Sequence, residues 1–597
     1  MYSEQIVISK PILQGEDNYY RTSIHKEDKG NGIEEIIIKI QGDSNKVPST
    51  LRVSFKFPSI NIQGSWRPAI QNMEDGFNRS LAVNWDGWDG NQAANTVGAP
   101  IYCLYDVSGR NRITVAYSDV LNKVYMKMGV NEENAEIFCV VTLFKEEING
   151  FSNYIGRIRI DTRDIPWYEA VQEVAPWWDS VAGITPSQIP ECARLPMYST
   201  WYSYHQAVKE QEIEKQCYLA KQIGCEAVIM DDGWQLSEVD HGYSHTGDWE
   251  PQSEKIISMK EHVQRVHNLG MKYLLWYSVP FVGFESKSWD IFRDKILSKW
   301  EEKGAGVLDP RFPEVREYLI EKYELAFRDW DIDGLKLDFV DCFNVKDRDQ
   351  VKFGEGRDFD SIQEAVDKLL SDIIVRLRRI KSDVLVEFRQ PYNGPLMRKY
   401  GNMLRAWDCA NDAIENRVRT IDIRMLSQTT PVHSDMIIWH EEDKVESVAL
   451  QLQNIIFAVP QISVKLDIIP EVHKRMLQFW LQFSRTNLDV LQQGTLMPLY
   501  PQHLYPIVGA FSHDKLIIAV YSEFIVRIEE TTVNKIFLIN AKSTENIVLD
   551  IRYRFDNCQV TTMNCCGERI ESYQMMFVIG LHNITIPASG LVEIKLK

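Results

Sequence analysis

The chain has 597 residues, 44% of them hydrophobic and 25% charged, a balance that fits a folded protein too long for a single core and does not fit a disordered one. Its 84 acidic residues outnumber 66 basic ones and leave a formal charge of -18, so nucleic-acid backbones and anionic membranes are not expected partners. The opening Met1-Tyr2-Ser3-Glu4-Gln5-Ile6-Val7 lacks a signal-peptide pattern, and no apolar run reaches the length of roughly 18 residues that a membrane-spanning helix needs.

In chain order, residues 1–185 read as an N-terminal β-sandwich. Short β-rich runs at 36–40, 51–57 and 137–144 are separated by Gly, Asn, Asp and Pro, with no long helical period between them. The loop Asn84-Trp85-Asp86-Gly87-Trp88-Asp89-Gly90 is either a surface turn or a segment that reaches a neighbouring ligand site.

From about residue 195 the pattern alternates. Strands are predicted at 197–202, 227–232, 273–277, 335–340, 384–389, 403–407, 432–438 and 461–466. Helices follow them, two ending at Gly224 and Gly270 and others covering 313–330 and the stretch from about Glu471. Eight such units predict a (β/α)8 barrel over 186–500. After residue 500 the runs at 516–521, 535–539 and 592–595 predict a small C-terminal β-sandwich over 501–597.

In such a barrel, polar residues at the C-terminal strand ends meet in one mouth. Here those ends carry Asp231 and Asp232, Lys336 and Asp338, Glu387 and Arg389, Arg405 and Asp408, and His433 and Asp435. A single strand-end Asp is often only a helix cap, but capping does not account for five strands in turn. Two carboxylates on different strands are what glycosidic-bond cleavage requires. Asp338 is the expected nucleophile, with Lys336 on the same strand face holding it ionised. Asp408, between Trp407 and Cys409, is the expected proton donor, with partial burial raising its pKa. Asp412 is the better candidate for capping the following helix.

Asp231-Asp232-Gly233-Trp234 offers two acceptors for neighbouring sugar hydroxyls and a ring, Trp234, as a stacking wall; the alternative is an Asx turn. Trp201 and Trp276 are further candidate sugar-facing residues, within a content of 16 tryptophans that fits both carbohydrate binding and core packing. Asp341 reads as structural, while His433 and Asp435 either touch ligand or support the site from behind. The ten cysteines show no CxxC and no metal-ligand spacing, so reduced thiols in a cytoplasm are expected. Neither a metal nor any other cofactor is expected.

Taken together, Lys336-Leu337-Asp338, the preceding Asp231-Asp232-Gly233-Trp234 and the later Arg405 with Asp408 resemble the α-galactosidases of glycoside hydrolase family 36, in the clan shared with family 27. The resemblance covers roughly residues 195–490 and the order of the three parts. It implies a nucleophile at Asp338, an acid/base at Asp408, Asp231 and Asp232 on the 4- and 6-hydroxyls of galactose, Lys336 on ring hydroxyls, and Arg405 near the 2-substituent. It also implies a small carbohydrate as partner and, often, a homo-oligomer.

Two segments depart from the family pattern. Glu387-Phe388-Arg389-Gln390-Pro391-Tyr392 stands where many members have Cys-Ser-Gly-Gly-Gly, and Arg405-Ala406-Trp407-Asp408-Cys409 replaces a Trp-Thr-Ser-Asp context. The expected function is a retaining α-galactosidase. Alternatives on the same site are an α-N-acetylgalactosaminidase, another α-glycosidase or a transglycosylase. An alternative of another class is a non-catalytic carbohydrate-binding protein. Charged Glu387, Arg389 and Arg405 beside the 2-substituent predict a preference for galactosides over their N-acetylated counterparts.

Overall fold

A computed structural model describes residues 6–15, 17–68, 79, 81–82, 90–145, 150–236, 241–344, 355–392, 394–529 and 532–596. The Trp-bearing loop expected at 84–90 lies, except for Gly90, outside the described residues.

The N-terminal region forms a five-stranded and a six-stranded sheet, whose strands pair antiparallel. Leu51–Pro58 shows why they stack: Leu51, Val53, Phe55 and Phe57 are buried, while the residues between them point away. Those side chains meet Ile36, Ile38 and Ile40 from Ile33–Gly42 in one core. Two helices, Trp167–Gln172 and Val174–Ala182, then lead to the barrel, burying Trp167 and Trp178.

The barrel is an eight-stranded parallel sheet. Its strands in chain order are Met197–Ser199, Ala227–Met230, Lys272–Ser278, Gly334–Asp338, Leu385–Arg389, Met403–Arg405, Val432–His433 and Gln461–Ile462. Strand one pairs with strand eight, and bridges His433↔Val459 and Ile437↔Ile462 bring strand seven against strand eight. The helix Ile362–Ile380 illustrates the outer ring. Ser361 caps it, accepting from the Glu364 amide at 3.3 Å, in the Ser-x-x-Glu spacing of a capping box. Ile362, Val366, Leu369, Ile373 and Leu377 form its buried stripe. Gly224 and Gly270 follow their helices at φ 107° and 75°, as their positions in the sequence require.

Three local features differ from expectation. Strand one stops at Ser199, and Trp201–Tyr204 is a helical turn. Strands seven and eight keep only two residues each; Ser434, Asp435 and Ser463 bend away to serve hydrogen bonds around the mouth. A three-stranded antiparallel sheet of Phe281–Gly283, Ile296–Trp300 and Ala305–Leu308 is inserted after strand three. Its Phe281 and Trp300 pack on Tyr243, and Phe281 also meets Phe339, so the insert walls one side of the mouth.

The C-terminal region adds a seven-stranded and a three-stranded sheet around their own core. All three regions converge on Asp422, inside the helix Ala413–Ser427. Its carboxylate accepts from Arg79 at 2.7 Å, Trp66 at 3.1 Å and Tyr505 at 2.5 Å, all buried. Asp422→Ala strands the Arg79 guanidinium in the interior and is expected to cost about 3–5 kcal/mol, read as a large drop in thermal unfolding temperature; a drop of only a degree or two would show the junction to be dispensable.

Candidate active site

Parallel pairing stacks the strand ends in register: Trp276 beside Lys336, Ser278 beside Asp338, Lys336 beside Glu387, and Arg389 beside Arg405. Asp338 closes strand four. The chain reverses immediately after it, with Phe339 at φ 62°, a conformation unusual for a bulky residue. The Asp338 carboxylate receives Trp276 Nε1 on Oδ2 at 3.0 Å. On Oδ1 it receives Arg389 Nε at 2.9 Å, the Phe339 amide at 2.8 Å and the Tyr392 hydroxyl. Burial alone would raise this carboxyl, but Arg389 and Lys336, with the bonds from Tyr392 and Trp276, hold it below the usual carboxylate range.

Lys336 does not take Asp338 as its direct partner, as the shared strand face suggested. Its ammonium lies 2.5 Å from Asp231 Oδ2 and reaches Asp338 only through its field. The contact expected of Lys336 is made by Arg389, whose guanidinium also lies 4.5 Å over the Trp407 ring.

Asp231 and Asp232 follow strand two. Asp231 accepts the Asp232 amide at 3.0 Å, and Asp232 accepts Gln206 and Gln235, each at 2.8 Å. Burial pushes Asp232 up to about 6, against the pull of those two amides. Gly233, at φ 113°, lets the turn close on Gln206: a Cβ there would meet the Gln206 Cα at 2.4 Å. The turn and the two acceptors therefore coexist.

Trp234 is not the expected stacking wall. It is 0% exposed, its Nε1 donates to the Trp276 carbonyl at 3.0 Å, and its faces and edges meet Trp249, Tyr277 and Trp330. Trp276 is also interior, its indole N–H spent on Asp338. Trp201 is half-buried on its helical turn, 4.6 Å from the His205 ring and 5.8 Å from His241.

Arg405 is sealed inside the mouth and faces three carboxylates. Its Nη1 meets Asp435, its Nη2 lies 2.9 Å from Asp408, and its Nε lies 3.5 Å from Glu387. Glu387 is buried and also accepts from Gln461; burial raises its pKa despite Arg405 and Lys336. Glu387, Arg389 and Arg405, expected to meet the sugar's 2-substituent directly, are thus each engaged by protein groups.

Asp408 differs from expectation in its electrostatics. Its side chain is 40% exposed at the lip. Enclosure on its other sides raises the carboxyl, but Arg405, Arg389 and Lys336 outweigh this and hold it well below the ordinary value. Asp412 is indeed the cap, accepting the Glu415 amide at 2.9 Å. Asp341 is pushed up to about 6 by burial, and His433 is enclosed, bonded to the Ala193 carbonyl at 2.8 Å. Sequence reasoning missed Tyr202, Gln206, Gln235, Tyr392 and Gln461, the residues that orient the carboxylates. Tyr392 alone left a signal, in the run after strand five that departs from the family pattern.

The eight-stranded parallel sheet defines the class of (β/α)8-barrel proteins, and it brings two carboxylates from different strands to one mouth. Residues 186–383 match the family model named Melibiase. Alpha-galactosidase 1 of Pediococcus pentosaceus is 25% identical over 146 residues, 24% of this chain and 19% of that protein. Alpha-galactosidase Mel36A of Lactobacillus acidophilus is 24% identical over 160 residues, 26% of this chain and 21% of that protein. The matched stretches therefore span about a fifth of these curated relatives.

The galactosidase domain of the α-galactosidase–sucrose kinase AgaSK superposes with a TM-score of 0.63 at 13% identity, over 99% of this chain and 86% of that one. The family 36 α-galactosidase AgaA of Geobacillus stearothermophilus gives 0.61 at 12% identity, over 100% and 90%. The chain thus has the fold of the glycoside hydrolase family 36 α-galactosidases, with sequence likeness to the Melibiase family over residues 186–383.

Because Trp234 is a core residue, Trp234→Ala is expected to cost about 3–5 kcal/mol of stability. A markedly lower unfolding temperature checks this. A stable protein with only weakened sugar binding would return Trp234 to the stacking role.

Proposed function

We propose that the protein is a retaining α-galactosidase acting on small α-galactosides. The observation that carries the reading is the contrast between two carboxylates at one mouth. Asp338 is held ionised by four donors, while Asp408 alone of the Arg405-bound carboxylates is open at the lip. Variants of AgaA have been solved with raffinose and with stachyose; that substrate class is carried over here as part of the proposal.

In the first step an Asp338 oxygen bonds to the anomeric carbon as the glycosidic bond breaks, and Asp408 gives its proton to the leaving oxygen. In the second, Asp408 takes a proton from water, whose oxygen displaces Asp338 and releases the sugar. Retention requires the two carboxyl groups about 5–5.5 Å apart. In the open mouth Asp408 favours its anion. A bound sugar covers its exposed side and removes the water that favours that anion, raising its pKa toward that of a donor. Asp231 and Asp232 supply acceptors for the glycone hydroxyls. Ten free thiols are part of the same proposal, which places the protein in a reducing cytoplasm. No helix among the described residues is long and apolar enough to cross a membrane.

Turnover of an aryl α-galactoside tests the reading, and its absence in the folded wild-type protein would refute it. Asp338→Asn is expected to abolish turnover with the fold intact. Asp408→Asn is expected to lose on the order of 100- to 10,000-fold on raffinose and far less on an activated aryl galactoside, with azide partly restoring the latter. Equal losses on both substrates would argue against Asp408.

Arg389→Gln removes the strongest attraction acting on Asp338, so the Asp338 pKa rises. Because Asp338 works as an anion, the acidic limb of kcat/KM is expected to move to higher pH. A limb that stays in place or moves down would separate Arg389 from the nucleophile.

A further inference from the structure

Asp435 has no route to a sugar. It is 0% exposed, and both carboxylate oxygens are occupied. Oδ1 accepts from Arg405 Nη1, and Oδ2 accepts from the Tyr202 hydroxyl at 2.8 Å and the Cys409 amide at 2.7 Å. Its backbone is clasped by Asn416, which accepts the Asp435 amide at 3.0 Å and donates to its carbonyl at 3.0 Å.

Two of these contacts bear directly on Asp408. Cys409 is the next residue in the chain, so its bond to Asp435 holds the backbone that carries Asp408. Arg405 offers one η-nitrogen to each carboxylate, so a negative charge on Asp435 offsets part of the guanidinium's pull at Asp408.

We infer that Asp435, itself unable to reach substrate, is the positioning residue that aims Asp408 and sets its share of the Arg405 charge, with Tyr202 holding Asp435 in place. This rests on the glycosidase reading above. An ionised Asp435 repels a second negative charge on Asp408 and competes for Arg405; both effects make Asp408 a better proton holder. With a neutral group in its place, Arg405 acts on Asp408 with less competition, and Asp408 gives up its proton too early in the pH range.

The groups around Asp435 fit this role. Burial pushes it up to about 6; Arg405 pulls down and Asp408 pushes up. Tyr202 approaches from the turn after strand one, and Glu387 from strand five acts through Arg405. The Cys409 thiol is pushed up by burial and stays neutral. On the helix behind, Asn416 is uncharged and Glu415 is paired with Arg419 at 2.6 Å. Lys336 and Arg389 add their fields at Asp408 itself.

The experiment compares kcat/KM against pH for wild type, Asp435→Asn and Tyr202→Phe on two substrates, an activated aryl α-galactoside and raffinose. Asp435→Asn keeps shape and one acceptor oxygen. It is expected to lose on the order of 10- to 100-fold on raffinose and less than about 3-fold on the aryl substrate. Its basic limb on raffinose is expected to shift to lower pH. Tyr202→Phe removes a donor that favours ionised Asp435 and is expected to act in the same direction, more weakly; it carries the test if Asp435→Asn fails to fold. Equal losses on both substrates, no loss at all, or an unmoved basic limb would overturn the positioning role and leave the glycosidase reading standing. No wild-type turnover on either substrate would overturn both.

Discussion

Lys336, Arg389 and Arg405 hold the carboxylates of Asp231, Asp338, Glu387, Asp408 and Asp435 at the barrel mouth, with Asp232 beside them. Negative groups outnumber positive ones in an enclosed space, so complete ionisation is costly and buried members are pushed up. Asp232 and Asp435, each pushed up to about 6, show where that pressure falls. The excess also suits glycoside chemistry. A sugar ring acquiring positive charge in its transition state is stabilised by surplus negative charge fixed beforehand. Strand register, the turn at Gly233 and the cap at Asp412 all serve to keep this set of charges in place.

Much of the frame was legible in the sequence because it rests on local rules. Glycines at 224 and 270 mark helix ends, and the apolar run into Asp338 marks a buried parallel strand. The inserted sheet over Phe281–Leu308 was not legible, since its strands are short and their pairing non-local. The helical turn at Trp201 was missed for a related reason: an aromatic-rich run has strand-like composition, and only the hydrogen bonds of the barrel rim decide otherwise.

Within the site, the sequence identified the ionisable groups but not their pairing. Period 2 correctly puts Lys336 and Asp338 on one face of strand four, yet Lys336 reaches across to strand two and bonds Asp231. Likewise, Trp407 and Cys409 beside Asp408 suggested burial, while its carboxylate stands at the lip with an arginine behind it. Choosing between such partners depends on distances between strands that no one-dimensional pattern encodes. The run Glu387–Tyr392 makes the same point. Its charges suggested contacts with substrate, but Arg389 and Tyr392 cradle Asp338 and Glu387 anchors Arg405.

The junction at Asp422 has a consequence for modularity. Side chains from residues 66, 79, 422 and 505 share one dry cluster, so the sandwich, the barrel and the C-terminal sheets do not behave as beads on a string. Excising the barrel would leave Asp422, Trp66 or Tyr505 facing solvent or cavity with unmatched polar atoms. Shuffling of these parts between related proteins would have to transfer the four residues as a set, and a fragment cut at a surface loop would still carry part of a lock whose other parts lie 83 to 439 residues away in sequence.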